Sequence, residues 1–476
     1  MFNLKKFTKY LTTFLMIVLP ILDTTFFFSR ITTLAEILII LLILLLTLIN
    51  NKNSRKKSIW LFIYYFITGI YLIINYIRAT NFNSLFPNDF NYSLYNELTT
   101  IIKLLMPATL LFILKYQSIS KKQYFNIIKY WTLFISGTIV ITNIFKCGLS
   151  SYGIGTIKYS IFEWYKNPYY LYSASKGFFN YANQHSCVLI MLLVINIYMF
   201  FENEKKNLFY IIILTISMLM LGTRISSLGG LLVLIFITLF YFIYKNIIFK
   251  EKYNVKNTLI LIPIVIWGGL LIISPYNNRN IELSIEPTYN NQEIEENNYA
   301  SIEEDEEQHY MQEYVDKNHN PDRLPEMFFK NYYSYEYDPE FWYNFVKNTN
   351  INEINYRMIE INIIKRVKEI NNNKYDKYFG LSNSRIQNIV NIERDWLLHY
   401  YAYGIIGSLI LMIIYPTLLF IILKKTLKTK NIFDITIFFI ISLYIICSYL
   451  SGNILNYIIT IIPLIYIFNG INIDKT

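Results

Sequence analysis

The sequence predicts an all-α polytopic membrane protein with about twelve transmembrane helices and one large extracytoplasmic loop between helices nine and ten. Of its 476 residues, 54% are hydrophobic and only 16% are charged, a balance that excludes an ordinary soluble enzyme. Twelve apolar segments recur, each near the ~20 residues that a helix needs to cross a bilayer. One polar stretch, 275–394, interrupts them, which indicates a working part carried by a membrane scaffold.

The apolar segments divide the chain into three parts. Residues 1–274 carry helices one to nine, 275–394 form the loop, and 395–476 carry helices ten to twelve with a short cytoplasmic tail. The seventh and eighth helices are short and could be misread as one, but the charges of the loops favour two. The predicted spans are 8–28, 31–50, 58–77, 98–115, 126–145, 182–201, 208–222, 226–246, 258–274, 397–423, 433–451 and 454–469.

The lysines of the short loops predict the orientation. Basic residues precede the first span and follow the second, fourth, sixth, eighth and tenth, so they share one side of the membrane if all twelve segments cross. Both termini are then cytoplasmic, and the large loop lies outside. The N-terminus is basic and then apolar, but no small-residue cleavage site follows, so it is predicted to be a retained span. The net charge of +10 is therefore a topology signal, and no nucleic-acid partner is predicted.

Arginine is distributed differently from lysine. In this topology, nine of the ten arginines lie outside. Arginine binds phosphate or carboxylate through a planar fork, so the bias favours an outward-facing anion site. Arg224 lies at the outer end of two tightly joined spans, where a charge is costly unless it is paired or faces a polar cavity. Arg30 and Arg78 lie at the outer ends of two other spans. There they would serve either as site residues or as anchors that reach to the membrane surface. Three loop arginines are expected to form ordinary surface ion pairs: Arg279, Arg323 and Arg366.

The loop divides into two halves. The first, from Glu282 to Asp316, is densely acidic and is expected to be solvated and mobile. The second contains apolar residues at helical spacing over 351–370, and Arg357 lies beside that apolar stripe. Between the two, aromatic residues cluster over 332–343, where they would stack on sugars or lie at the membrane interface. No cysteine or acidic spacing predicts a metal site.

Three stretches, taken together, resemble the O-antigen ligases and the Wzy-type polysaccharide polymerases. The first is GFFNYANQH at 177–185, and the second is LGTRISS at 221–227. The third runs over 355–407, from NYR through FGLS and IERDWL to YGIIG. Each motif is weak alone, but their order and their membrane positions match that family on both sides of a long loop.

The resemblance implies a GT-C-like fold and a glycosyltransferase that needs neither a metal nor a cofactor. Its donor would be an oligosaccharide on polyprenyl diphosphate, and its acceptor a glycan hydroxyl. It also implies a bacterial plasma membrane, contact with membrane lipid, and a flippase and a chain-length regulator of the same pathway as partners. The activity would be polymerisation of the repeat units of a capsular or O-antigen-type polysaccharide.

Site residues follow from the same resemblance. Glu393 or Asp395 would be the base that activates the acceptor hydroxyl. The ligases tend to carry a histidine at the position of Glu393, and this departure favours a polymerase. The diphosphate would be bound by Arg224, Arg357, Arg30 and Arg78. Further substrate contacts would come from Asn180, Asn183, His185 and Arg394.

Two other functions remain open at this point. A ligase of the same fold would move a finished glycan onto a lipid, peptidoglycan or protein acceptor, using the same donor and chemistry. A transporter or flippase could also have twelve spans, but it would be expected to show internal repeats or a chain of acidic residues buried in the spans. Neither is evident, because Asp23 and Glu36 lie near span ends.

Overall fold

The computed structural model describes residues 4–27, 29–79, 81–86, 91–202, 204–245, 255–284, 304–321, 323–350 and 353–475. Over this part of the chain the protein is all-helical, with 77% of residues in helices and no strand. The chain forms two compact units. The first unit comprises 1–66, 102–282 and 412–476, and the second comprises 67–101 and 283–411.

The first unit holds most of the apolar helices. α4 and α5 are shared with the second unit, since their sequences cross the boundary at 66–67 and 101–102. The helices are α1 Leu4–Leu22, α2 Ser29–Asn50, α3 Lys52–Lys57, α4 Ile59–Ala79, α5 Leu94–Lys115, α6 Lys121–Ile144, α7 Ala182–Phe201, α8 Asn207–Leu221, α9 Gly230–Ile243, α10 Leu261–Leu271, α11 Pro275–Ser284, α18 Ile414–Thr429, α19 Ile432–Leu450 and α20 Ile458–Phe468.

Helix α7 is the centre of the first unit. Its sequence is apolar on every side, and such a helix must be surrounded by others. It is buried along its length and packs against α6, α8, α9, α19 and α20. Two amide side chains of α7, Gln184 and Asn196, are fully buried, and Asn196 donates to the Thr132 hydroxyl at 3.0 Å and to the Leu192 carbonyl at 2.8 Å. The N-terminal end of α7 is therefore a rigid support for the residues around 180–185.

Within the described residues, at least one helix lies in each of the twelve predicted segments. Nine helices in the described ranges are long and apolar enough to cross a membrane, so the chain is a multi-pass membrane protein. The other three are α8 and α20, which are short, and α1, which carries three lysines. The number twelve, the cellular membrane, the sides of the termini and the placement of the loop stay predictions.

The second unit contains the described residues of the loop from 283 onward. Its own helices are α12 Glu304–Asn318, α13 Pro339–Asn348, α14 Tyr356–Asn371, α15 Asp376–Phe379, α16 Asn383–Ile389 and α17 Asp395–Met412. Helix α14 confirms most of the helix predicted over 351–370, but it begins at Tyr356, and residues 351 and 352 lie outside the described residues. Helix α12 lies in the half predicted to be mobile, and residues 285–303 of that half lie outside the described residues. Mobility there stays a prediction, as do the three domain boundaries.

Aromatic residues build the core of this unit. Tyr333 and Trp342 are fully buried, and the Trp342 indole donates to the Tyr333 carbonyl at 2.6 Å. Asp338 accepts from the Tyr333 hydroxyl at 2.7 Å and from the fork of Arg366 at 2.8 and 3.0 Å. Arg366 forms an ion pair, as expected, but the pair is not an ordinary surface one, because Asp338 is buried. The surface role expected of the aromatic cluster is wrong for Tyr333 and Trp342, because packing the unit encloses their rings.

Candidate functional site

Arg224 stands on a tight turn between α8 and the π-helical turn Ile225–Gly229. Gly222 ends α8 with a φ of 68°, and a Cβ there would lie 3.0 Å from the Cβ of Ala174, so only glycine fits without strain. The Thr223 hydroxyl then accepts from the Ser226 backbone amide at 3.0 Å. These contacts fix the backbone while the Arg224 side chain stays exposed. The turn thus presents a guanidinium group from a rigid base.

Arg279, on α11, meets the same turn through Tyr152. Its Nη1 donates to the Tyr152 hydroxyl at 2.9 Å, and its guanidinium lies 4.4 Å from the centre of that ring. The Tyr152 hydroxyl in turn donates to the Gly222 carbonyl at 2.8 Å. Burial raises the pKa of Tyr152, and the charges of Arg279 and Arg224 oppose that rise. Both guanidinium groups therefore act on one phenol, and we name Arg224, Arg279 and Tyr152 the arginine cluster.

The arginine cluster has unused binding capacity. Within the described ranges, no carboxylate lies at ion-pair distance from Arg224 or Arg279. The Nε of Arg279 is buried and has no hydrogen-bond partner there either. The ordinary ion pair expected of Arg279 is therefore wrong, since its contacts are tyrosines. Two guanidinium groups without a carboxylate are suited to an anionic ligand such as a diphosphate.

Asn180 and His185 meet at Asp23. Asn180 Nδ2 donates to the Asp23 carbonyl at 2.8 Å, and His185 Nε2 lies 3.4 Å from Asp23 Oδ2. Because His185 Nδ1 lies 3.0 Å from the Tyr181 carbonyl, that nitrogen carries a hydrogen. Nε2 and Oδ2 would then present lone pairs to each other unless a proton lies on one of them. The histidine is fully buried, and neither Nε2 nor Oδ2 has a hydrogen-bond partner among the described residues, so a substrate contact by His185 stays a prediction.

Two further titratable residues, Glu36 and Lys103, lie in helices near Asp23. Glu36 is only 6% exposed, and the charges of Asp23 and Lys103 both act on it. The Lys103 ammonium lies 5.5 Å from the centre of the Tyr457 ring. Asp23 directly follows the end of α1 and Glu36 lies in the second turn of α2, so both are near helix ends, as predicted. Helices α1 and α2 pack against each other, which sequence positions alone do not indicate.

The second unit holds a separate group of titratable residues. Arg357, on α14, points its Nη2 to Glu393 Oε2 at 3.5 Å, and these side chains are 36% and 46% exposed. Glu360, one turn further along α14, is only 8% exposed. Burial, reinforced by the charge of Glu393, raises the pKa of Glu360 to about 8, against the Glu393 backbone amide and Arg357, which lower it. We name Arg357, Glu360 and Glu393 the carboxyl cluster.

In this cluster one carboxyl keeps its proton at neutral pH. One oxygen of Glu360 is buried without a hydrogen-bond partner in the described ranges, so an ionised form would be poorly solvated. Glu393 is half-exposed, and Arg357 balances it. A partly exposed carboxylate beside a neutral acid is an arrangement that can accept a proton from a bound hydroxyl.

The remaining predicted site residues do not join these clusters in the contacts that the structure shows. Asp395 is fully buried in the first turn of α17, where a carboxylate favours the helix N-terminus. Arg78 stacks over Tyr375 at 3.9 Å and over Phe379 at 4.9 Å. The other three are Arg30, exposed in the first turn of α2, Arg394, exposed just before α17, and Asn183, half-buried on α7. As substrate contacts all of these stay predictions.

The family model described as O-antigen ligase like membrane protein matches residues 4–474. The chain belongs to this family. No curated protein and no solved structure matches it. Membership in the O-antigen ligase-like family confirms the resemblance carried by 177–185, 221–227 and 355–407, and indicates a polysaccharide-related function at the membrane. The family is associated with glycan-transferring enzymes.

Sequence reasoning missed several residues of these clusters. Arg279 and Tyr152 have no recognisable spacing, because 127 positions separate the two ends of their hydrogen bond. Glu360 carried a signal that could have been used, since it lies three residues after Arg357 on a predicted helix and such residues are neighbours. Asp23 carried one too, as an acid within a predicted span is a functional candidate by default.

Proposed function

We propose that this chain polymerises repeat units of a surface polysaccharide that are carried on polyprenyl diphosphate. The observation that supports this most is the arginine cluster: Arg279 donates to the Tyr152 hydroxyl, Arg224 acts on it electrostatically, and neither arginine has a carboxylate partner in the described ranges. A diphosphate is the anion that a membrane glycan donor would bring to such a group. The donor, the glycan acceptor, and the flippase and chain-length regulator of the pathway are parts of this proposal.

In the proposed reaction, the acceptor hydroxyl oxygen bonds to the anomeric carbon of the donor sugar. The bond between that carbon and the diphosphate oxygen breaks, and the diphosphate leaves with the electron pair. Arg224 and Arg279 stabilise the charge that develops on the diphosphate. The hydroxyl proton passes to Glu393, which Arg357 holds in position.

Glu360 limits the charge beside the proposed base. Because its pKa is raised to about 8, it is mostly neutral at pH 7, and only one negative charge occupies the carboxyl cluster. Arg357 was expected on the diphosphate, but its contact with Glu393 supports a positioning role instead.

A ligase is the second candidate, and the description of the matching family favours it. Donor, leaving group and base are shared between the two activities, so the clusters support both. The glutamate at position 393, where the ligases tend to carry histidine, supports polymerisation.

The test is the length distribution of surface polysaccharide in cells carrying Arg224→Lys, beside wild type and a deletion. Lysine keeps the charge but loses the fork, so we expect collapse to single repeat units with the protein still in the membrane. The control is Arg55→Lys. The Arg55 side chain donates to the Leu48 and Ile49 carbonyls in the last turn of α2 and is not part of the arginine cluster. Long polymer retained on the lipid carrier would indicate the ligase. An unchanged ladder in the deletion would contradict both and favour transport.

A further inference from the structure

A cavity of about 380 Å³ lies at the C-terminal end of α14 in the second unit. Its walls come from the last turns of α14, the turn that follows and the first part of α17. Ligand pockets usually measure ~300–1,000 Å³, so this one suits one or two sugar rings. It does not include any residue of the carboxyl cluster. The residues that matter here are Lys365, Lys368, Lys374, Glu369, Tyr400 and Tyr401.

The cavity is positively charged. Three lysines face one glutamate in its lining, and no ion pair joins these lysines to a carboxylate in the described ranges. Lys365 and Lys374 are exposed, while Lys368 is half-buried and acts electrostatically on Asp376. Ammonium groups at a helix C-terminus stabilise the helix. Three of them around one cavity also form a site for an anionic group.

The rest of the lining is suited to a saccharide. Two tyrosines contribute aromatic rings, and the Lys368 ammonium lies 5.9 Å from the centre of the Tyr400 ring. Glu369 and two asparagines add hydrogen-bond acceptors and donors, which sugar hydroxyls require. None of the eight lining residues is aliphatic, so the apolar surface of the cavity comes from tyrosine rings and the stems of the other side chains. These features favour a sugar with an acidic substituent over a lipid headgroup.

The cavity and the carboxyl cluster lie along one face of α14. Arg357 and Lys368 are about three helical turns apart, or ~16 Å along the axis. Arg357 comes before Lys368 along α14. Their neighbours, Glu393 and Tyr400, follow each other in the same order along the chain. A single sugar cannot span that distance, but an oligosaccharide can.

We infer that this cavity binds an acidic sugar of the glycan chain, a ring that carries a carboxylate or a phosphate. The inference rests on the proposed function for the identity of the ligand as substrate glycan. Lys365, Lys368 and Lys374 neutralise the acidic group, while Tyr400 and Tyr401 contact the ring. Such a site would hold the chain several sugars away from the hydroxyl that reacts.

The test uses the full-length protein in phosphatidylcholine nanodiscs, titrated calorimetrically with trigalacturonic acid and with its neutral methyl ester. Replacing all three lysines by glutamine should raise the Kd for the acid by about ten-fold or more, since each exposed charge pair adds up to ~1 kcal/mol. Replacing all three by arginine keeps the charge and should keep the affinity. The ester should bind wild type no more tightly than the acid binds the glutamine variant.

Three results would overturn the inference. Equal affinity of the acid for wild type and for the glutamine variant, at equal thermal stability, would leave the lysines with a role in the helix only. If wild type bound the acid and the ester with equal affinity, the charge of the ligand would not contribute to recognition. Lysine-dependent retention of phosphatidylglycerol, seen by native mass spectrometry without lysine-dependent binding of the acid, would identify a lipid site. Glu393→Gln should bind the acid normally, so its effect on polymerisation tests the proposed function separately.

Discussion

Glu360 illustrates how folding changes the chemistry of a single side chain. In sequence it is one of many loop glutamates, but in the structure it lies beneath Arg357 and Glu393 with one oxygen buried. Burial and a neighbouring negative charge both disfavour ionisation, so its pKa rises to about 8. Glu360 therefore keeps its proton below about pH 8 and loses it as the pH rises through that value.

The residue-scale prediction concerns the pH dependence of polymerisation. Wild-type activity should fall as the pH rises through about 8, because ionised Glu360 places a second negative charge beside Glu393. Glu360→Gln mimics the protonated form and should keep activity on the alkaline side. Glu393→Gln should lose about 100-fold or more at every pH, as expected for loss of a general base. The measurement is the rate of polymer formation by purified protein between pH 6 and pH 10 (about two units either side of that midpoint).

The control is Glu326→Gln, an exposed glutamate of the same unit that pairs with Lys330. Its profile should match that of wild type. Identical alkaline limbs for wild type and Glu360→Gln would show that another group controls this fall. Full activity of Glu393→Gln would remove it as the base, and fully buried Asp395 would then be the remaining predicted carboxylate.

At the scale of elements, the YGIIG motif has a packing explanation. Gly404 interrupts α17 with a φ of 63°, and a Cβ there would overlap the backbone of Tyr378 and Phe379. Gly380, with a φ of 78°, would likewise overlap the Ala402 carbonyl. The two glycines let the turn after α15 enter the break in α17. The Tyr71 hydroxyl then bonds the Phe379 and Tyr403 carbonyls at 2.9 and 2.8 Å.

Alanine at either glycine should destabilise the second unit. The left-handed conformation alone costs a residue with a Cβ ~1–2 kcal/mol, and the overlap with backbone adds to that cost. We expect Gly404→Ala and Gly380→Ala to lower the melting temperature of the purified protein by several degrees. Gly69→Ala is the matched control in α4, where no atom lies within 4 Å, and it should be neutral or slightly stabilising. A melting temperature unchanged by Gly404→Ala would contradict this account.

Sequence reasoning succeeded where the signal was local and periodic. Apolar segments of bilayer length predicted the helices, and the three-to-four spacing over 351–370 predicted α14. It failed where contacts join distant segments, because Tyr152 meets Arg279, and Asp23 meets His185, through the fold alone. Residue type also misled, since the aromatic rings expected at a surface became the core of the second unit. The sequence could therefore supply candidate residues by segment, but it could not supply the contacts that those residues make.

At the scale of the whole molecule, orientation depends on two helices outside the nine long apolar ones: α8, which is short, and α1, which carries three lysines. An α-helix of 15 residues is ~22 Å long, below the ~30 Å of a hydrocarbon core. Yet the basic segments share one side only if α1 and α8 both cross, whereas α20 decides only the side of the C-terminus. If α8 and α9 formed a single crossing, the loop after α18 would face the opposite side from the loop before α8.

Cysteine labelling of intact cells tests this orientation. In a chain with Cys147→Ser, which removes the exposed natural cysteine, we place Lys206→Cys before α8, Lys428→Cys at the end of α18, or Tyr332→Cys in the loop. A membrane-impermeant maleimide should label only Tyr332→Cys, and the other two should react once the membrane is opened. Lys206→Cys protected and Lys428→Cys labelled would mean that α8 does not cross. Because lysines outnumber arginines in these loops and gather on one side, we expect the two to behave alike, with α8 crossing as a short helix whose outer end carries Arg224.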